Sequence, residues 1–417
     1  MLVGVQMLEA LANVQMCRCL WNSQMLVELA DVQIMRVILS QHITTMKYLY
    51  ILITALLLAA CTVPAPHSGE GRPVSLSHAT LLGMAEADSF VVATVKNPWD
   101  TTRTLATYVM VPDSLPMPHH LPQGTVVRTP LRRAVVTSAV HLALLADLDA
   151  LGGVGGVTDA GYIVSQRIKD YLQRHPNVAD MGQSMQPNVE RMRMNKVDAV
   201  LVSPFENAGH GALDNAGIPL IECADYMETS PLARAEWMRF YGRLFGVGQR
   251  ADSLFAVVEQ AYLACKKRVA QGSGGPRPTV MSDLMQRGTW YQPSGRSTMG
   301  QFIADAGGRN LWADRTENGS VSLSFESVFQ RAAKADVWLV KYGQQTDLSY
   351  AQMLRDMPQA AQFAPWQKHR VYACNTFSVP FYEEVPFHPE RLLQNLADIF
   401  GGRTPQGSDV YYTPVKQ

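Results

Sequence analysis

The sequence predicts an α/β protein of two lobes, each built around a central, mainly parallel sheet, joined by one long helix. Three observations predict it. Short apolar runs rich in β-branched residues alternate with longer stretches of helical period along most of the chain. One stretch, Gln249 to Gln271, holds helical spacing for about six turns. The glycines and prolines of Gly272 to Pro278 then stop it, and the strand–helix alternation begins again.

The elements follow in order. At Met46 the chain reads Met46-Lys47-Tyr48-Leu49-Tyr50, then runs apolar and uncharged from Ile51 to Ala60 before Cys61. A positive residue ahead of about ten apolar residues reads as a signal peptide over 46–60, since a spanning helix needs ~20. Leu58-Ala59-Ala60-Cys61 resembles a bacterial lipobox, which implies acylation of the Cys61 sulfur after cleavage. The expected location is the periplasm or cell envelope, lipid-anchored to a bacterial membrane. Residues 1–45, rich in methionine and holding Cys17 and Cys19, precede that signal and are expected to lie outside the mature protein. They read as an upstream start chosen in error, or as an amphipathic extension with Met7, Leu8, Leu11, Val14 and Leu26 on one stripe. Residues 61–75, rich in Pro, Gly and Ser, read as a tether.

The first lobe is expected over 76–248. Its candidate strands are Phe90 to Val95, Leu105 to Val111, Arg133 to Thr137, Val154 to Thr158, Ala199 to Ser203 and Leu220 to Cys223. Its candidate helices are His141 to Ala150, Gln186 to Met194, Asn207 to Asn215 and Ala233 to Phe245. The interlobe helix takes 249–271, where Phe255, Val258, Ala261, Tyr262 and Ala264 keep helix-compatible spacing. The second lobe, 272–417, shows strands at Thr279 to Ser282, Val337 to Val340 and Arg370 to Cys374. Its helices are Thr298 to Ala306, Phe325 to Ala333, Tyr350 to Arg355 and Pro389 to Phe400. Alternation of this kind builds βαβ units.

Composition excludes several function classes. The chain has 36 basic and 36 acidic residues, so it carries no electrostatic footprint for nucleic acid. Beyond Cys61 only Cys223, Cys265 and Cys374 remain, with no CxxC spacing, which points to buried hydrophobes and not to a disulfide framework or a zinc site. Gly152-Gly153-Val154-Gly155-Gly156 precedes a strand and lacks GxGxxG spacing, so it is no dinucleotide loop. No phosphate loop, GxSxG elbow or HExxH helix is present. His119-His120 sits in a proline-rich loop, and His141 opens a helix where end packing is the expected role.

The order of several segments carries a resemblance. Arg133-Ala134-Val135-Val136-Thr137-Ser138, Val154-Gly155-Gly156-Val157-Thr158-Asp159, Gln186-Pro187-Asn188-Val189-Glu190-Arg191-Met192 and Val197-Asp198-Ala199-Val200-Leu201-Val202-Ser203 occur in the first lobe. Gly288-Thr289-Trp290-Tyr291-Gln292-Pro293-Ser294-Gly295, Phe302-Ile303-Ala304-Asp305-Ala306-Gly307-Gly308, Leu323-Ser324-Phe325-Glu326-Ser327-Val328 and Ala335-Asp336-Val337-Trp338-Leu339-Val340 occur in the second. Over roughly Arg133 to Phe400 the chain resembles the cobalamin- and ferric-siderophore-binding proteins of ABC importers. The resemblance implies two Rossmann-like lobes of the class III periplasmic-binding-protein fold, acting as a monomer with an ABC permease and its ATPase. It implies binding of an iron chelate (siderophore or haem) or cobalamin between the lobes, with no cofactor of the protein's own and no catalysis. It also places permease-docking glutamates at Glu190 and Glu326, one on each lobe.

Strand carboxyl ends line the cleft of such a fold, so aromatics there suit flat or greasy ligands. Tyr162, Trp290 and Tyr291 are the candidates, and Arg296 is a candidate partner for an anionic chelate. Tyr226 and Glu228 also follow a strand, whereas Trp237, Phe240 and Tyr241 at helical spacing read as core. The stretch Ser75 to Arg132 is longer than a cobalamin carrier needs, which leaves the ligand open. A zinc or manganese carrier would need three or four converging ligands, for which only Asp159, Glu228 and His210 are candidates. A lipoprotein enzyme acting on haem or a corrinoid, and a non-catalytic interaction lipoprotein, are the further alternatives.

Overall fold

The computed structural model describes residues 71–272, 275–317, 319–407 and 410–416. The expectations for 1–45, for the signal over 46–60, for Cys61 and for most of the 61–75 tether lie outside the described residues.

The described chain opens on a strand inside the stretch expected as tether. β1 (Arg72–Val74), β2 (Leu82–Glu86), β3 (Val91–Lys96), β4 (Thr104–Pro112) and β5 (Thr125–Thr129) form one sheet in that order. β1 to β4 run antiparallel, and β5 returns parallel to β4. This corrects the expectation that Phe90 to Val95 and Leu105 to Val111 belong to βαβ units. A parallel return needs a connection of about a dozen residues. Only Asp113 to Gly124 is long enough, while the turns after β2 and β3 fold straight back. Alternation puts Leu82, Met84, Ala93, Val95, Tyr108, Met110 and Val127 on the face that joins the first-lobe core.

The second sheet of the first lobe is parallel throughout. β6 (Ala134–Val136), β7 (Val154–Val157), β8 (Ala179–Asp180), β11 (Ala199–Val202) and β12 (Leu220–Glu222) stand in the order β12-β11-β6-β7-β8. β9 (Gly182–Gln183) and β10 (Gln186–Pro187) make a small hairpin beside it. The glycine cluster now has its reason: a Cβ on Gly156 would come within 2.6 Å of Met181, and one on Gly155 within 2.8 Å of the Arg133 backbone. Close packing, not phosphate binding, uses these glycines.

Helices α1 (Ala139–Asp147), α2 (Gln166–Arg174), α3 (Val189–Met194), α4 (Pro231–Glu236) and α5 (Met238–Leu244) complete the lobe. Helix α3 is shorter than the expected Gln186 to Met194, because Gln186 and Pro187 pair in the hairpin. Asn207 to Asn215 is a turn followed by a 3-10 segment, Gly211–Asn215, and not an α-helix: Asn207 and Gly211 both adopt positive φ.

Helix α6 (Gly248–Gly272) spans 25 residues, about 37 Å. Ala251, Phe255 and Val258 pack into the first-lobe core, and Tyr262 and Cys265 into the second. Beyond it come β13 (Thr279–Ser282), β14 (Trp290–Pro293), α7 (Thr298–Asp305), β15 (Arg309–Asn310), β16 (Ser320–Leu323) and α8 (Phe325–Ala332). Then follow β17 (Val337–Tyr342), α9 (Tyr350–Asp356), α10 (Ala364–Gln367), β18 (Val371–Asn375), α11 (Phe381–Glu384), α12 (Pro389–Phe400) and β19 (Thr413–Pro414). The sheet order is β15-β13-β17-β18-β19, parallel except for β19, while β14 and β16 pair as a separate antiparallel ribbon. No helix among the described residues is long and apolar enough to cross a membrane.

Candidate functional site between the lobes

The carboxyl edges of the two parallel sheets meet. Glu383, in α11 after the end of β18, is 4% exposed. It accepts hydrogen bonds from the backbone N–H groups of Val164 at 2.5 Å and Ser165 at 2.9 Å, which follow the end of β7 and open α2. A carboxylate from one lobe thus satisfies orphan donors at a helix N-terminus of the other. Side chains are exchanged around this joint as well. Phe387 packs in the first-lobe core against His141 and Tyr241, and Leu232 packs in the second. The Gln301 side chain of α7 donates to the Thr229 carbonyl, which follows β12.

Exposed rings gather at these edges. Among the described residues six aromatic side chains are exposed: Tyr162, Phe205, Tyr226, Tyr291, Phe377 and Tyr382. All but Tyr291 follow the carboxyl end of a parallel strand: β7, β11 and β12 in the first lobe, β18 in the second. Exposed aromatic surface grouped at strand ends makes these edges the candidate binding surface. Tyr162 lies just ahead of Val164 and Tyr382 just ahead of Glu383, so the joint ties together the two segments that carry these rings, one from each lobe. Phe377 lies across Gly343 at the end of β17, where an added Cβ would come within 2.6 Å of the ring. Tyr226 is steadied by donating to the Pro204 carbonyl at 2.5 Å. Burial, with the neighbouring Asp225 and Glu222 charges, raises the Tyr226 phenol above its ordinary pKa; burial also raises Tyr382, against the Lys341 charge, so both stay protonated at neutral pH.

Polar groups between the rings are paired. In the second lobe Lys341 bridges to Asp283 at 2.9 and 3.1 Å, across the ends of β17 and β13. Burial works against its charge, but the Tyr412 oxygen and the Asp283 carboxylate outweigh it and hold the ammonium above its usual range. In the first lobe His210 Nε2 lies 2.8 Å from Glu222 Oε1. Burial raises the Glu222 carboxyl above its ordinary pKa, while His210 opposes the rise.

The most enzyme-like group is sealed. Asp225, 1% exposed, lies 3.0 Å from His141 Nε2, accepts from Tyr241 at 2.7 Å and pairs with Arg234 at 3.1 Å. Burial alone would raise the Asp225 carboxyl, but His141 and Arg234 bring it down to about 2. His141 is therefore a buried network member and not merely a helix-end packer. A substrate has no access to it beneath Tyr241 and Phe387.

The sequence candidates fall in different places. Tyr162 stands at the cleft, 83% exposed. Trp290 does not: it is 0% exposed, donates to the Ser282 carbonyl at 2.9 Å and packs against Phe325, Trp338 and Phe363. Its place is the core, because the alternation of β14 turns Trp290 inward and Tyr291 outward. Tyr291 is exposed on the separate ribbon and Arg296 ahead of α7, so neither shares the strand-end cluster with Tyr162. Phe205, Phe377 and Tyr382 were not among the candidates. Their signal is an aromatic residue soon after a strand end, in positions where core packing no longer accounts for it. Asp159, Glu228 and His210 do not converge: Asp159 accepts from Ser184, Glu228 from Thr80 and Leu81, and His210 pairs with Glu222. Among the described residues no group of three His, Cys, Asp or Glu side chains is arranged to hold a metal ion.

Glu190 and Glu326 occupy equivalent stations. Each is the second residue of a helix that follows an antiparallel ribbon and is capped by a side chain, Asn188 for α3 and Ser324 for α8. Both are exposed, and Glu190 pairs with Arg193 at 2.9 Å. Hydrogen bonds from its own backbone and Ser324 hold the Glu326 carboxyl below its usual range.

Comparison with known proteins places this geometry. A family model described as periplasmic binding protein matches residues 137–376, a stretch that leaves β1 to β5 outside it. The chain is 25% identical over 224 residues to an uncharacterised lipoprotein of Methanocaldococcus jannaschii; the match covers 52% of this chain and only 53% of that protein. Among solved structures, an ABC-type Fe3+-hydroxamate transport system protein from Saccharomonospora viridis superposes with a TM-score of 0.51 at 19% identity, covering 65% of this chain and 94% of that one. A periplasmic haem-binding protein from Pseudomonas aeruginosa gives a TM-score of 0.51 at 16% identity, covering 69% and 98%. At such identities the structural likeness establishes the fold.

Proposed function

Since the chain belongs to the periplasmic binding protein family, we propose that it is the lipid-anchored carrier of an ABC importer for an iron chelate (siderophore or haem) or cobalamin. The observation that carries this reading is the set of exposed rings at the facing strand ends: Tyr162, Phe205 and Tyr226 on one lobe, Phe377 and Tyr382 on the other. Rings at the strand ends of both lobes suit a flat or greasy chelate, whose two faces could each lose water against one of them. Tyr291 and Arg296 remain candidate contacts at the rim, whereas the packing of Trp290 assigns it to the core. The lipid is carried by Cys61, and release comes from the permease spreading the lobes, with no chemistry on the cargo.

Glu190 and Glu326 are the docking residues of this reading. Matched stations on the two lobes give a two-point electrostatic register over a permease, and one charge alone would leave rotation free. The test has two arms. Titration with haemin, cobalamin and ferric hydroxamates or catecholates should give saturable quenching of tryptophan fluorescence for one chelate class. Glu190→Ala combined with Glu326→Ala should abolish uptake of that chelate by cells and leave its Kd within about two-fold. Failure of every chelate to bind would end the carrier assignment, and undiminished uptake by the double variant would end the docking assignment.

A further inference from the structure

The amino edge of the first-lobe parallel sheet, opposite the strand ends that carry the exposed rings, has a surface that the carrier reading does not use. Arg132 and Arg133 lead into β6, and Lys196 and Asp198 lead into β11. The two arginine N–H groups donate to Asp198 Oδ2 at 2.7 and 3.0 Å, and Arg133 Nε donates to the Lys196 carbonyl at 2.8 Å. The 113–124 loop between β4 and β5, outside the family match, joins the same edge. Arg132 pairs with its Asp113 at 2.6 Å, and Arg128 donates to its Leu115 carbonyl at 2.9 Å. Charge is unbalanced here in a chain that is balanced overall. Over 113–133 and 190–198 the cations Arg128, Arg132, Arg133, Arg191, Arg193 and Lys196 face only the carboxylates Asp113, Glu190 and Asp198. All six cations but Arg128 are exposed. Asp198 is turned inward: its Oδ2 holds the two amides and its Oδ1 is buried without a partner. Arg133, Arg191 and Lys196 form no ion pair among the described residues.

Apolar side chains stand out among these charges. Leu115 is 37% exposed, Met117 50% and Met194 82%. The loop does not show them through slackness. Prolines at 112, 116, 118 and 122 restrict its backbone, Leu121 packs beneath it on Phe90, Val109 and Val111, and Arg128 holds the Leu115 carbonyl. Exposed cations set among protruding apolar side chains match the interface of an anionic lipid layer. Its phosphates take the guanidinium and ammonium groups, and its acyl boundary takes Leu115, Met117 and Met194. A soluble polyanion would take the cations and leave the three apolar side chains in water. Resting on the carrier reading above only for a membrane beside the chain, we propose that this edge of the first lobe docks on an anionic lipid bilayer. Tyr162, Phe205 and Tyr226 follow the carboxyl ends of β7, β11 and β12, so the contact leaves them at the opposite edge of the sheet.

The test uses the full chain with vesicles of phosphatidylcholine alone or with about 30% phosphatidylglycerol. Hydrogen exchange read segment by segment reports the docked surface, whatever else holds the chain to a vesicle. Residues 113–124 and 190–196 should exchange several-fold more slowly on the anionic vesicles than on the neutral ones. Raising the salt to about 0.5 M, where charges act over about 4 Å, should remove the difference. Arg191→Glu with Lys196→Glu should abolish it, and Met117→Ser with Met194→Ser should reduce it by about two-fold or more. Both pairs change exposed side chains, so each variant should melt within about 2 °C of the parent. Each should also keep the parent's Kd for the chelate within about two-fold. Equal exchange on the two kinds of vesicle overturns the proposal, and so does protection that survives either double variant undiminished. Protection on intact envelopes but on neither vesicle assigns the surface to a protein partner and overturns the lipid assignment. The carrier reading stands through each of these results, since it fails only if no chelate binds.

Discussion

At the scale of single residues, two buried carboxylates do what a sequence does not announce. Glu236, 0% exposed, accepts from the backbone N–H groups of Ser77, His78 and Ala79 at 2.8–2.9 Å. Glu228, 4% exposed, accepts from Thr80 and Leu81 and from Trp237 Nε1. Consecutive amides wrapped around two anions make charge-assisted bonds that offset the cost of burying the charges. They fasten the start of the N-terminal sheet to the segment that leads into α6. Glu236→Gln places an NH2 group against those donors, and the expected loss is about 2 to 4 kcal/mol of unfolding free energy by urea titration. A loss below about 0.5 kcal/mol, the range of an ordinary surface change, would show that the amides find other partners. From the sequence Glu228 reads as a cleft or metal candidate, because its true partners are backbone groups 148 residues away and carry no side-chain signature. That Tyr162 stands beyond a strand end was legible from the Val154–Val157 run before it, whereas Trp290 misled because β14 is a ribbon whose two faces composition cannot tell apart.

Elements were legible where a single period repeats for long enough. Helix α6 shows its apolar spacing and its glycine stop, and the parallel strands β6, β7, β11 and β12 show their β-branched runs. Helix α2 escaped because it is polar, with Ile168 its only fully buried residue. Of the N-terminal sheet only β3 and β4 were visible as strands; β1, β2 and β5 are short or half-exposed, and the pairing stayed hidden because antiparallel order is decided by the turns. The junction into α6 shows what pairing demands. Gly242 in α5 faces Ala251 in α6 so closely that an added Cβ would come within 2.3 Å of the Ala251 methyl. Helical propensity alone favours alanine there by about 1 kcal/mol. The contact reverses the sign: Gly242→Ala forces the two helices apart, and the expected result is a net destabilisation of about 1 to 3 kcal/mol, with a lower thermal midpoint. A rise in midpoint would mean that the crossing yields freely and that α6 is not locked to the first lobe.

At the scale of the molecule, the two lobes are held by more than one helix. His388 of the second lobe is 5% exposed and bonds Asp147 Oδ2 of the first at 3.0 Å and Glu390 Oε1 of its own at 3.0 Å. Arg167 pairs with the same Asp147, and Arg391 and Glu384 lie on the second-lobe side of the joint. Burial disfavours the imidazolium, but Asp147 and Glu390 overcome it and raise the His388 pKa to about 9. A group raised on folding contributes most when both states are protonated, below about 6.5, and loses its contribution as pH climbs through about 9. The rise is worth on the order of 3 kcal/mol, lost progressively between those values. Unfolding free energy should therefore fall from pH 6.5 to 9.5, and His388→Gln should flatten that part of the profile, with its largest loss below about pH 6.5 and the two curves converging above about pH 9. A profile of equal slope in the variant would place the pH dependence elsewhere. Together with Glu383 on Val164 and Ser165, this contact ties the lobes at one end of the cleft, beside Tyr162 and Tyr382. A helix shared by both cores and a joint of this kind leave only small closure about one axis. In the carrier proposed above, that limit would keep rings on two lobes in register around a rigid cargo, and opening would have to be driven from outside, by whatever pulls on the far ends.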